Sequence, residues 1–116
     1  MTAQQLSKVI AKGMEEKKAT DILVMDLRSV KDTVTDFFVI CSGNSDTQLE
    51  AISKSIEEQV HKAGDTSAWS VEGRTNGQWI LMDYVNVVAH LFLADKREFY
   101  GLEELWGDAK IKKIES

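Results

Sequence analysis

At 116 residues, 43% hydrophobic and 28% charged, the chain has the length and apolar content of one globular domain and not those of a disordered segment. Its 19 Asp and Glu against 14 Lys and Arg give a formal charge of −5, which argues against a protein that grips nucleic acid mainly through phosphates. An acidic surface suits a basic protein partner, because complementary charge raises the encounter rate. The one cysteine, Cys41, excludes a disulfide within the chain, and in the run Phe37-Phe38-Val39-Ile40-Cys41 it reads as a buried thiol. Met1 to Lys8 carry no apolar signal core and no Arg-rich presequence, and no apolar run reaches membrane-spanning length. A reducing, cytoplasmic compartment is expected.

Leu6, Val9, Ile10, Gly13 and Met14 recur at helical spacing and predict an amphipathic helix over about Thr2 to Lys18. Ile22 to Leu27 is a compact apolar strand with Asp26 near its end. A polar connection, Arg28 to Thr35, leads to a second strand over Asp36 to Ser42. Both are nearly continuous apolar runs, the pattern of strands covered on two faces. Gly43-Asn44 marks a turn, and Ser45 with Gln48 three residues later predicts a capping box. The helix that follows places Leu49, Ile52, Ile56 and Val60 on one face and stops at Gly64.

A third strand is expected over about Ala68 to Glu72. Asn76-Gly77 signals a hairpin into a fourth strand, Gln78 to Tyr84, and a fifth runs over about Val87 to Ala94. Phe99, Leu102, Leu105 and Trp106 follow helical spacing, so Arg97 to Trp106 is predicted as a last, inward-packing helix. The tail from about residue 109 is expected to be loosely held. The order α-β-β-α-β-β-β-α describes a single α+β domain over residues 1–116, with helices covering a five-stranded mixed sheet.

A strand, Gly43-Asn44-Ser45 and a capped helix have the outline of a phosphate-binding turn. With one glycine, no following Lys-Ser/Thr and no G-x-G-x-x-G, a plain turn and cap is the simpler reading. Nucleotidyl transfer needs two carboxylates at i and i+2 of one strand, on the same face, to share divalent metals. Asp83 is followed by Tyr84, Val85 and Asn86, and Asp26 stands alone, so that pair is missing. The two histidines, His61 and His90, have no Cys, His or Asp at metal-site spacing, and there is no G-x-S-x-G elbow. No cofactor, no metal and no catalytic residue are expected, and the chain does not read as an enzyme. His61 suits the end of its helix, near the last carbonyls. His90 interrupts an apolar strand and has two readings, a partly buried hydrogen-bonded histidine or a polar contact in a docking face.

Strand alternation points Trp79, Leu81 and Asp83 one way and Ile80, Met82 and Tyr84 the other. On the fifth strand, Val88, His90 and Phe92 oppose Ala89, Leu91 and Leu93. The aliphatic second set suits a helix-covered core. His90 and Phe92 then lie beside Trp79, Leu81 and Asp83, in an apolar, aromatic patch with a few polar groups of the kind used in protein docking. Burial habits alone favour the core for a Trp or Phe on a strand.

Four segments, in this order, resemble the ribosomal silencing factor family, also called Iojap-like: D-F-F-V-I-C-S-G-N-S at Asp36 to Ser45, W-I-L-M-D-Y at Trp79 to Tyr84, V-V-A-H-L-F at Val87 to Phe92, and R-E-F-Y-G-L-E-E-L-W at Arg97 to Trp106. The likeness runs from the first strand to Trp106. It implies a nucleotidyltransferase-like fold without a working active site. It also implies binding to ribosomal protein fourteen of the large subunit, at the surface that meets the small subunit, so that subunit joining is blocked and translation falls when nutrients are short. Homodimers are implied as well. The resemblance turns Trp79 toward an interface, and the expected partner-binding residues are Trp79, Leu81, Asp83, Tyr84, His90, Phe92 and Tyr100. No membrane or direct DNA binding is expected, and RNA contact is peripheral at most.

The chain departs from the family where Val85-Asn86 replaces the usual Gly-Asp and where Ala89 stands at a frequent Val. A Gly would ease a tight turn, and the Asn removes one charge available to a partner. Two rival readings stay open: a small nucleotide-binding or nucleotidyl-transferring enzyme using the Gly43 to Ser45 turn, and a plain dimerisation module that buries the Trp79 face against its own copy.

Overall fold

Thr2 starts the first helix with both halves of a capping box: its hydroxyl accepts from Gln5 N at 3.1 Å, and Gln5 Oε1 accepts from Thr2 N at 2.9 Å. The structure, a computed structural model, describes residues 1–30, 33, 35–64, 68, 70–75, 77–96 and 110–114. In chain order these form α1 (Ala3–Glu16), β1 (Thr20–Asp26), β2 (Phe37–Gly43), α2 (Asp46–Lys62), β3 (Ser70–Glu72), β4 (Trp79–Asp83), β5 (Val87–Leu93) and β6 (Lys110–Ile114). The strands make one sheet in the order β3-β4-β5-β2-β1-β6, with β2 and β5 parallel and the other neighbours antiparallel. The mixed α+β reading therefore stands.

The two helices lie together on one face of the sheet. Ile10 and Met14 of α1 and Leu49, Ile52 and Ile56 of α2 join Ile22, Val39, Cys41, Ile80, Met82, Ala89 and Leu91 in the main core. Gly13 is what lets the helices close up: a Cβ there would stand 2.8 Å from Ile56 Cα, nearer than such atoms approach. Beside it Ser55 Oγ donates to Gly13 O at 2.8 Å, which satisfies the hydroxyl inside the helix contact. Cys41 is fully buried in this core, as the sequence suggests.

The cap of α2 differs from the prediction in its second half. Ser45 Oγ accepts from Gln48 N at 3.0 Å, but Gln48 Oε1 accepts from Asn44 N at 2.7 Å, one residue before the box position. The Gln48 amide reaches further because its Nε2 also donates to Lys17 O and Lys18 O at 3.1 and 3.3 Å. One side chain thus ties the end of α1 to the start of α2.

Two expectations about the C-terminal region change. Among the described residues the sheet has six strands and not five, because residues 110–114 are not loose: β6 pairs antiparallel with β1 from Ile22↔Ile114 to Asp26↔Lys110. Ile114 packs against the main core, whereas Ile111 is 45% exposed on the other side. As an edge strand β6 carries lysines at Lys110, Lys112 and Lys113, which discourage pairing with another chain. The predicted helix over Arg97 to Trp106 lies outside the described residues, as does Asn76 of the predicted hairpin turn. Gly77, the other half of that turn, has φ +71° and donates to Gly73 O at 2.9 Å.

Candidate functional site

Pairing between β4 and β5 sets the register of the second face. Trp79 stands opposite Phe92, Leu81 opposite His90 and Asp83 opposite Val88, while the alternate pairs Ile80–Leu91 and Met82–Ala89 belong to the helix-covered core. β2 lies beside β5 and adds Phe38 and Ile40, and Met25 comes from β1. Met25, Ile40 and Phe92 are a second buried cluster, with Phe38 and Trp79 packed against it. Five of the predicted residues, Trp79, Leu81, Asp83, His90 and Phe92, are therefore gathered on one face.

They do not share one depth. His90 is 4% exposed and Phe92 1%, so both lie beneath the surface, and their cross-strand neighbours Trp79, Leu81 and Asp83 are half-buried. The Trp79 indole N–H donates to His90 Nδ1 at 3.1 Å, and its ring stacks on Phe92 with centroids 5.1 Å apart and planes at 27°. Phe38 meets the imidazole edge-on at 4.6 Å. The tryptophan is thus fixed by a hydrogen bond to the imidazole and by a ring stacked alongside.

Accepting that bond assigns the imidazole proton to Nε2, since Nδ1 must offer its lone pair. Burial drives His90 down to about 4, so the ring is neutral at neutral pH and keeps its acceptor. Its Nε2 is buried and has no hydrogen-bond partner among the described residues. Of the two sequence readings of His90, the geometry describes the buried, hydrogen-bonded one; its effect on the surface passes through Trp79.

The other predicted residues separate. Tyr84 is half-buried and packs against the helix-side core, as its strand parity requires, away from the Trp79 face. Tyr100 lies outside the described residues. Asp83 uses Oδ1 to accept from Val85 N at 2.7 Å and so shapes the β4–β5 turn. The sequence reading missed Met25, Phe38 and Ile40. Their parity was present in the chain, but a continuous apolar run hides which residues face which side.

The rival phosphate turn has its donors occupied. Asn44 N donates to Gln48 Oε1, Thr47 N to Asp46 Oδ1 and Gln48 N to Ser45 Oγ, and the Asp46 carboxylate adds negative charge where a phosphate would sit. Gly43 is explained by packing, since a Cβ there would come within 2.8 Å of Leu49 Cδ2. Asp26 is engaged by Arg28, with Nε at 3.0 Å and Nη2 at 2.8 Å, and that pairing holds its carboxyl below the usual range. Among the described residues no group of three or more His, Cys, Asp or Glu converges as a metal site. Among them, too, no helix is long and apolar enough to cross a membrane.

The family described as "Ribosomal silencing factor during starvation" matches residues 1–116. The chain is 37% identical over 115 residues to "Ribosomal silencing factor RsfS" of Bacillus subtilis, covering 99% of this chain and 96% of that protein. It is 40% identical over 106 residues to "Protein Iojap, chloroplastic" of Zea mays, covering 86% of this chain and 42% of the maize protein. A crystal structure of a protein from Chromobacterium violaceum superposes with a TM-score of 0.85 at 28% identity, covering 100% of this chain and 95% of that one. A continuous match over the whole length, in sequence and in fold, makes this chain a member of the ribosomal silencing factor family.

Proposed function

We propose that this protein docks through its Trp79 face onto ribosomal protein fourteen of the large subunit, at the surface that meets the small subunit. Docking there blocks subunit joining and represses translation. The observation that carries this reading is the fixed tryptophan: a large, half-buried side chain, hydrogen-bonded to His90 and stacked on Phe92. An anchor that is already ordered loses little freedom on binding, and Trp is the residue most often dominant at interfaces. Leu81 and Asp83 border it, and His90 and Phe92 act from beneath by holding it in place. The formal charge of −5 favours a basic ribosomal partner.

Silencing of this kind needs occupancy alone. A body measuring 35 × 34 × 27 Å at the joining surface excludes the opposite subunit by volume. The nucleotidyltransferase-like sheet then serves as a scaffold for a docking face, without the paired carboxylates that transfer would need. Sucrose-gradient sedimentation with separated subunits tests the reading. Co-migration with the large subunit and fewer joined ribosomes are expected, and failure to bind at micromolar concentration would remove it.

A further inference from the structure

The β4–β5 turn is wound in a way that disfavours the residue at its centre. Val85 has φ +76°, and Asn86 N donates back to Tyr84 O at 3.0 Å, which makes Val85 the central residue of a γ-turn with positive φ. A β-branched side chain there is a conformational outlier. Four further hydrogen bonds impose the shape. Asp83 Oδ1 takes Val85 N at 2.7 Å, Tyr84 N donates to Val87 O at 2.9 Å, and Asn86 O accepts from Asp36 N and Phe37 N at 2.9 and 3.2 Å. The tip is therefore clamped to the start of β2 and does not relax into an ordinary turn.

Strain of this sort persists only where the surroundings over-determine it, and such positions gather at binding and switch sites. The side chain it presents does little for the fold, since Val85 is 57% exposed. It also stands two residues beyond Asp83, at the end of the strand that carries Trp79 and Leu81.

We infer that Val85 is a preorganised apolar contact at the rim of the Trp79 docking face, seated in an apolar depression of the ribosomal protein bound there. The inference rests on the proposed docking and adds a residue that alternation along the strands does not select. Its signature is a pair of opposite effects. A rigid exposed methyl pair costs the free protein stability and returns affinity on binding.

The experiment compares the full-length protein with V85G, V85N and W79A, measuring thermal melting and affinity for purified large ribosomal subunits. Glycine relieves the strain, so V85G should melt about 3 °C higher, yet bind roughly fivefold more weakly. Asparagine tolerates positive φ without a glycine's flexibility, so V85N should lose the same affinity and show that the methyl groups are responsible. If W79A loses binding while V85G and V85N bind like the parent, the docking face stands and the Val85 contact is overturned. If W79A also binds like the parent, the docking reading fails and this inference falls with it. A V85G variant that melts no higher than the parent would refute the strain on which the argument depends.

Discussion

Protonating His90 should destabilise this protein from the inside, and the cost can be worked from its burial. The imidazole is brought from 6.5 to about 4 by desolvation, so the folded state resists a proton that the unfolded chain accepts. The unfolded state therefore binds more protons between these two values, and stability falls as pH falls through that window. The stabilisation is intact above pH 6.5 and fully lost below pH 4, a total of about 3 kcal/mol for a shift of this size. At pH 5 the loss is about 2 kcal/mol, which with an ordinary urea slope for a small domain moves the midpoint by about 1 M. Urea denaturation at pH 7 and pH 5 should show that drop in the parent and little of it in His90→Gln, a neutral side chain at both values. The other histidine, His61, is exposed at the end of α2 and shared by both proteins, so it cancels in the comparison. Parallel pH dependences in the two proteins would refute the buried, neutral imidazole and with it the assigned Trp79–His90 bond.

Trp79→Ala should weaken association with large subunits at least about thirtyfold, the scale of a dominant interface residue, in a pelleting assay. Unchanged pelleting would take Trp79 out of the interface. Gly13→Ala should destabilise by about 1–2 kcal/mol in chemical denaturation, because the new methyl meets Ile56 backbone and the gain in helix propensity offsets only part of the overlap. A neutral or stabilised variant would mean that the helices can separate freely. Ile114→Asp should detach β6 from the core and speed amide exchange along β1, and unchanged exchange there would show that strand pairing alone keeps β6 in place.

Much of the candidate face was legible before the fold because parity along β4 and β5 is strict. Trp79, Leu81 and Asp83 oppose Phe92, His90 and Val88 as two-residue alternation requires. Depth was not legible, since alternation states which side a residue faces and says nothing of what covers it. That is why His90 and Phe92 could be placed on the face but not beneath it. Met25, Phe38 and Ile40 were hidden in runs that are apolar at nearly every position. β6 was hidden for the opposite reason: Lys110-Ile111-Lys112-Lys113-Ile114 sets its two apolar residues three apart, which matches no strand period, because each serves a different side of the sheet. The shifted Gln48 bond depends on carbonyls at Lys17 and Lys18, which no local motif anticipates.

The pairing of β6 with β1 also governs the order in which the molecule is completed. β1 is made early and its outer edge is closed by residues 110–114, so during synthesis that edge stays open until this much later strand has left the exit tunnel. An open apolar strand edge is a template for another chain, and contacts this distant in sequence form late. A newly made copy is thus vulnerable to strand exchange at this edge until β6 has emerged and paired, which removes that hazard.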